Sequence, residues 1–149
     1  LGWVGEWYKM TGNASDYVID QIPGWTTPQA VAFKDDFTKR WGIEPSPSAG
    51  GLAYDETNFF IKILQQAYKD YGKLTSDSLY QEGKAKLWTG QLTYTGGLLM
   101  TEYKFTPDSL PDMVVGKGEF AFPVIQYFNG DGKTIWPAEM KQQDFQAPK

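Results

Sequence analysis

The segment Glu44-Pro45-Ser46-Pro47-Ser48-Ala49-Gly50-Gly51 constrains this chain more than any other feature, because it separates the two most regular helical patterns. Each proline disfavours helix at the residue before it, and the paired glycines widen the allowed backbone conformations. One long helix therefore cannot run through the segment, which reads as a linker or hinge. On its N-terminal side, Thr27-Pro28 is followed by Ala30, Phe33, Phe37 and Trp41, and then by Gly42. A capping hydroxyl, a proline in the first turn, apolar residues every three or four positions and a closing glycine predict an amphipathic helix over Pro28–Trp41. On its C-terminal side, Leu52, Phe59, Phe60, Ile63, Leu64, Ala67 and Tyr71 share one helical face, and Lys62, Gln65, Gln66 and Lys69 lie on another. That spacing predicts a second helix over 52–71, ended by Gly72. Thr75 or Ser76 would cap a third helix reaching Leu87, with Gly83 in its interior costing about 1 kcal/mol of propensity.

From Gln91 onward the texture changes. Runs rich in β-branched and aromatic residues predict strands over 91–94, 98–103 and 120–128, with another over 17–22 near the start. Residues 133–136 should pair with 120–128 as a hairpin across Asn129-Gly130-Asp131-Gly132. Helices and strands do not alternate regularly, so the chain reads as mixed α/β with strands contributed to more than one sheet.

Composition removes whole classes of function. The 149 residues include no cysteine and no histidine, which excludes disulfides, thiolate metal sites and the commonest general base. Carboxylate, lysine and tyrosine chemistry remain. The 14 basic residues are scattered and outnumbered by 18 acidic ones, so nothing draws the chain to a nucleic acid. No apolar run reaches the roughly 18 residues of a membrane span, and residues 1–10 lack the basic-then-apolar layout of a signal peptide. A chain starting at Leu1 is expected to be a mature product or a fragment of something longer.

Four motifs read more simply than their chemistry suggests. Asn129-Gly130-Asp131-Gly132-Lys133 would need Glu at the twelfth position of a calcium loop, where Met140 stands, and is expected to be a hairpin turn. Gly116-Lys117-Gly118 lacks the rest of a nucleotide loop and reads as a flexible connection. The adjacent acids Asp35-Asp36 and Asp55-Glu56 point about 100° apart on a helix, so they do not converge on a substrate and read as solvated faces. The abundant aromatics read mainly as core rather than as a sugar-stacking platform.

Taken as one string, the helix containing Phe33-Lys34-Asp35-Asp36-Phe37, the turn Gly42-Ile43-Glu44-Pro45 and the start Ala53-Tyr54-Asp55 resemble the C-terminal part of an ABC-transporter substrate-binding protein of the branched-chain amino-acid and amide type. Gly90-Gln91-Leu92-Thr93-Tyr94 is similar to a further segment of that family, and the stretch 124–137 resembles its closing hairpin. The resemblance covers nearly the whole chain. It implies a type I periplasmic-binding-protein fold, two Rossmann-like lobes joined by a hinge. Residues 1–45 would belong to the second lobe, 46–115 to the first, and 116–149 would return to the second as a hairpin and tail.

The same resemblance implies a non-enzymatic, extracytoplasmic receptor, periplasmic or lipid-anchored, without a cofactor. It would clamp an amino acid, amide or small aromatic acid in the cleft between its lobes and deliver it to an ABC permease. Asp16 matches the acidic residue that accepts a hydrogen bond from a ligand ammonium group, with Tyr17 in place of a small residue. Tyr54 matches an aromatic of the first-lobe wall of the cleft. A complementary N-terminal segment of the same protein is implied as a partner. Without it, uncovered strand edges and helix faces should make the piece unstable alone unless two copies exchange elements. Competing readings are a ligand-sensing domain of the same fold and, more distantly, a carboxylate-dependent glycosidase.

Overall fold

The computed structural model describes residues 7–21, 24–116, 118–120 and 122–148. The fold is mixed helix and sheet, with one three-stranded antiparallel sheet. The chain divides into two compact units, Leu1–Leu52 with Phe122–Lys149, and Ala53–Ala121.

In the first unit, α1 (Trp7–Thr11) leads through a 3-10 turn, Gly12–Ser15, into β1 (Ile19–Gln21), followed by α2 (Pro28–Trp41). The predicted boundaries of α2 hold for the expected reasons. The Thr27 hydroxyl accepts the Ala30 N–H at 3.1 Å, Pro28 occupies the first turn, and Gly42 takes a left-handed φ of 72°. Rings of Phe33, Phe37 and Trp41 follow one another along the helix with centroids 6.1 and 6.3 Å apart.

The expected linker is ordered. Pro47–Leu52 forms a wide, π-type helical turn in which Gly50 and Gly51 both donate to the Ser46 carbonyl, at 2.7 and 3.2 Å. The Ser46 hydroxyl accepts the Ala49 N–H at 3.2 Å, so Ser46 acts as an N-cap and Pro47 falls where its missing donor is harmless. Gly50 is also needed for space, since a Cβ there would lie 3.2 Å from the Pro45 ring.

β2 (Val124–Phe128) and β3 (Asp131–Trp136) form the hairpin, and β1 pairs antiparallel with β2 on its other side. The connection is shorter than expected. Only Asn129 and Gly130 turn the chain, with φ of 49° and 82°, the two left-handed positions that suit a right-twisted hairpin. β1 spans 19–21 rather than 17–22: Tyr17 has a φ of 66°, which is incompatible with a strand, and Ile22 lies outside the described residues. β2 starts at Val124, not at 120, and Ala121 lies outside the described residues, as does Lys117 of the expected connection.

The second unit is built on α3 (Ala53–Tyr71) and α4 (Ser76–Glu82), the latter running into a π-type turn, Gly83–Leu87. Thr75 and Ser78 make a reciprocal cap at the start of α4. Gly83 weakens the helix but admits Trp88, whose ring would lie 3.3 Å from a Cβ at that position. The core gathers Phe59, Ala67, Leu92, Leu98, Leu99, Met100, Tyr103 and Phe120. Phe60 and Tyr71, expected on the buried face of α3, are instead 53% and 39% exposed.

The expected strands over 91–94 and 98–103 do not form. Their remnant is one antiparallel bridge between Tyr94 and Tyr103. The reason is a contact from a distant part of the sequence: the Leu98 and Leu99 N–H groups donate to the Asp55 carboxylate instead of to a neighbouring strand. Leu98, Leu99 and Met100 are all buried in succession, which a half-buried strand does not allow. Among the described residues no helix is long and apolar enough to cross a membrane.

Candidate functional site

Asp16 follows the 3-10 turn Gly12–Ser15, where the buried Ser15 hydroxyl donates to the Gly12 carbonyl at 2.7 Å and the Asp16 N–H donates to Asn13 at 3.1 Å. Asp16 itself is extended, and Tyr17 then reverses the backbone with its positive φ. That conformation is uncommon for a bulky residue and persists where surrounding contacts dictate it. Here the Tyr17 N–H donates to the Tyr127 carbonyl at 2.9 Å, and the Tyr17 ring meets Phe128 edge-on at 5.0 Å. Trp7 makes a similar edge contact with Tyr127 at 5.2 Å, while Tyr8 lies so close to Gly130 that a Cβ there would come within 2.8 Å of its ring.

The Asp16 carboxylate is half-committed. Its Oδ1 accepts the Asn129 N–H at 2.7 Å and so fastens the hairpin turn to the segment preceding β1. Its Oδ2 has no hydrogen-bond partner among the described residues, and the side chain is partly exposed. One oxygen thus orients the group while the other can receive an external N–H donor. Nearby Tyr127 is buried, and burial, with a smaller contribution from Asp20, pushes its hydroxyl pKa up to about 12.

Tyr54, the second residue of α3, is 44% exposed, and its carbonyl accepts the Asn58 amide at 2.8 Å. Asp16 and Tyr54 belong to different units, so neither unit contains both candidate residues.

Asp55, beside Tyr54, corrects an expectation. It is not on a solvated face but fully buried, and its carboxylate accepts from Leu98 N–H at 2.7 Å, Leu99 N–H at 3.0 Å and the Tyr103 hydroxyl at 2.5 Å. Gly97 makes this nest possible, because a Cβ there would lie 2.7 Å from the Tyr103 ring and 2.9 Å from Asp55 Oδ2. Burial, reinforced by the bond to Asp55, drives the Tyr103 hydroxyl far above its usual pKa, so it remains a donor at every physiological pH. Glu56 and the Asp35-Asp36 pair are exposed, as their helical spacing suggests. Asp55 therefore holds the 96–103 loop on α3 and is aimed at no solvent-facing surface.

A second buried acid went unnoticed in the sequence. Glu82 is fully buried, neither carboxyl oxygen has a hydrogen-bond partner among the described residues, and the Lys86 ammonium stands 3.9 Å away. Lys86 donates instead to Asp70, which also accepts from Gln66 at 2.9 Å. Burial raises the Glu82 pKa against the opposing pull of Lys86, while the Gln66 and Lys86 bonds lower that of Asp70. The i,i+4 spacing of Glu82 and Lys86 was the only sequence sign of this cluster. Comparison with protein-family models, curated proteins and solved structures gave no match to the chain.

Proposed function

We propose that this chain is part of an extracytoplasmic solute-binding component of an ABC importer, of the type I periplasmic-binding-protein fold. Its ligand class is an amino acid, amide or small aromatic acid. The observation that carries this reading is the state of Asp16, oriented through Oδ1 by the hairpin and open at Oδ2 to an N–H donor. Such a half-committed carboxylate gives an ammonium or amide both affinity and a fixed direction. Two further features support the reading. The chain leaves one compact unit after Leu52 and returns to it at Phe122, and the stretches that resemble the family lie beside both crossings, at Tyr54-Asp55 and at 124–137. The exposed Tyr54 ring offers apolar contact and a hydroxyl donor to a carboxylate-bearing solute.

The test is a thermal-shift screen of the full-length protein that contains this chain, against amino acids, amides and aromatic acids. A ligand at 100 times its dissociation constant stabilises by about 2.7 kcal/mol. The expected result is a shift with one class of solute, lost in Asp16→Asn and reduced in Tyr54→Ala. Asn retains an acceptor for the Asn129 N–H but removes the charge, so this variant separates ligand binding from hairpin support. No shift with any solute, or a shift unaffected by Asp16→Asn, would overturn the reading.

A further inference from the structure

α3 has two apolar faces, and only one of them enters the core of its unit. The inward face carries Asp55, Phe59 and Ala67. On the opposite side, Tyr54, Thr57, Ile61, Leu64, Tyr68 and Tyr71 recur at alternating steps of three and four residues along the whole helix. Five of the six are exposed, Thr57 among them: Tyr54 and Ile61 at 44%, Tyr68 at 59% and Tyr71 at 39%, with Phe60 beside the stripe at 53%. A strict three-four repeat is the seam of a two-helix coiled coil, in which each side chain fits between those of a facing helix.

We infer that this stripe is the contact surface for a second copy of the same chain, its α3 helix lying antiparallel to the first. The stripe is self-complementary about its midpoint. Antiparallel pairing sets Tyr54 against Tyr71 of the other copy, Thr57 against Tyr68, and Ile61 against Leu64, so one two-fold axis satisfies every position. The accessible positions flanking the seam are Ala53 and Phe60 on one side and Asn58 and Gln65 on the other, Ala67 being buried in the core of its own unit. None is charged. Two identical chains, each of net charge -4, can therefore meet there without placing like charges together. The charged residues of the helix, Asp55, Glu56, Lys62, Lys69 and Asp70, all lie off the seam. At about 100 Å² for each half-exposed ring or branched chain, two copies would remove roughly 1,000 Å² from water, the lower bound for a specific interface.

Sedimentation of the 149-residue chain tests this directly. The expected species has twice the 16.8 kDa chain mass, and Ile61→Glu or Tyr68→Glu, exposed positions whose folding is checked by circular dichroism, raises its dissociation constant at least about 100-fold. Because the chain lacks cysteine, introduced thiols report on orientation. Differently tagged Thr57→Cys and Tyr68→Cys chains, mixed and oxidised, should join 57 to 68. A monomeric chain, a dimer indifferent to Ile61→Glu, or cross-links joining 57 to 57 would each overturn the inference. Pairing covers Tyr54, so the dimer and the proposed ligand contact of Tyr54 exclude one another, whereas Asp16 lies in the other unit and the Asp16→Asn arm of the ligand test does not depend on this stripe.

Discussion

Replacing Asp55 by Asn removes one charge at almost constant volume and should cost far more than its size suggests. The carboxylate receives Leu98 N–H on Oδ1, and Leu99 N–H and the Tyr103 hydroxyl on Oδ2. An amide has a single acceptor oxygen. If that oxygen takes the Oδ1 position, the Tyr103 hydroxyl can rotate to accept from the amide, but the Leu99 N–H then faces another donor. If the amide is reversed, the Leu98 N–H is orphaned. Either way one buried N–H loses its partner, at about 1–3 kcal/mol, and the remaining bonds lose their charge assistance, about another 1–2 kcal/mol. The expected loss is roughly 3–4 kcal/mol, a large share of the 5–15 kcal/mol typical of a domain. Urea unfolding at one protein concentration should show a lower midpoint with an unchanged slope. In the wild-type chain the Leu98 and Leu99 amides should rank among the slowest to exchange in this unit. A variant within about 1 kcal/mol of wild type, or rapid exchange at both amides, would refute the idea that Asp55 anchors the 96–103 loop.

Gly97→Ala should cost about 1–3 kcal/mol by overpacking, because the new methyl would meet the Tyr103 ring at 2.7 Å and the Met100 carbonyl at 3.0 Å, neither of which can swing aside; thermal unfolding measures it. Thr27→Ala should cost about 1 kcal/mol through loss of the cap on Ala30 N–H, with the first turn of α2 exchanging faster while its last turn is unaffected. Glu82→Gln should change the pH dependence of stability. A carboxyl whose folded pKa is raised contributes most below its unfolded pKa, near 4.3, and loses that contribution as pH rises through the folded value. The Gln variant should therefore unfold at a higher temperature than wild type near pH 7, and the difference should shrink towards pH 4. An equal difference at both pH values would show that the fold does not raise the Glu82 pKa.

The helices were legible because their signals are local. Thr27, Pro28 and Gly42 set the ends of α2 through contacts no more than four residues away, and the same holds for Thr75 with Ser78 at the start of α4. The segment 44–51 does precede the boundary between the two units, but the ordered turn inside it was not legible, for a related reason. Two prolines and two glycines mark a break in an ordinary helix, but with Ser46 as cap the same residues satisfy a wider turn that needs few donors at its start. The hairpin between β2 and β3 was legible from Asn129-Gly130, a dipeptide whose residues tolerate the left-handed backbone better than most.

What stayed hidden was set by contacts across long stretches of sequence. The pattern over 98–103 is hydrophobic enough for a strand, yet its backbone donors are captured by an acid 43 positions earlier, and no periodicity encodes that choice. Asp55 has the same explanation. At a helix start an acid normally favours the dipole from an exposed position, so its type and place give no hint of burial. The hint lay elsewhere, in Gly96-Gly97 ahead of three apolar residues, since a loop must shed its side chains to wrap a carboxylate this closely. Asp16 differs in kind. Its neighbour Tyr17 adopts a conformation that a small residue would hold at less cost, and three contacts with β2 keep it there. Strain retained beside an oriented carboxylate that keeps one oxygen open is the reason to begin the ligand search at Asp16 rather than at the better-bonded, but closed, Asp55.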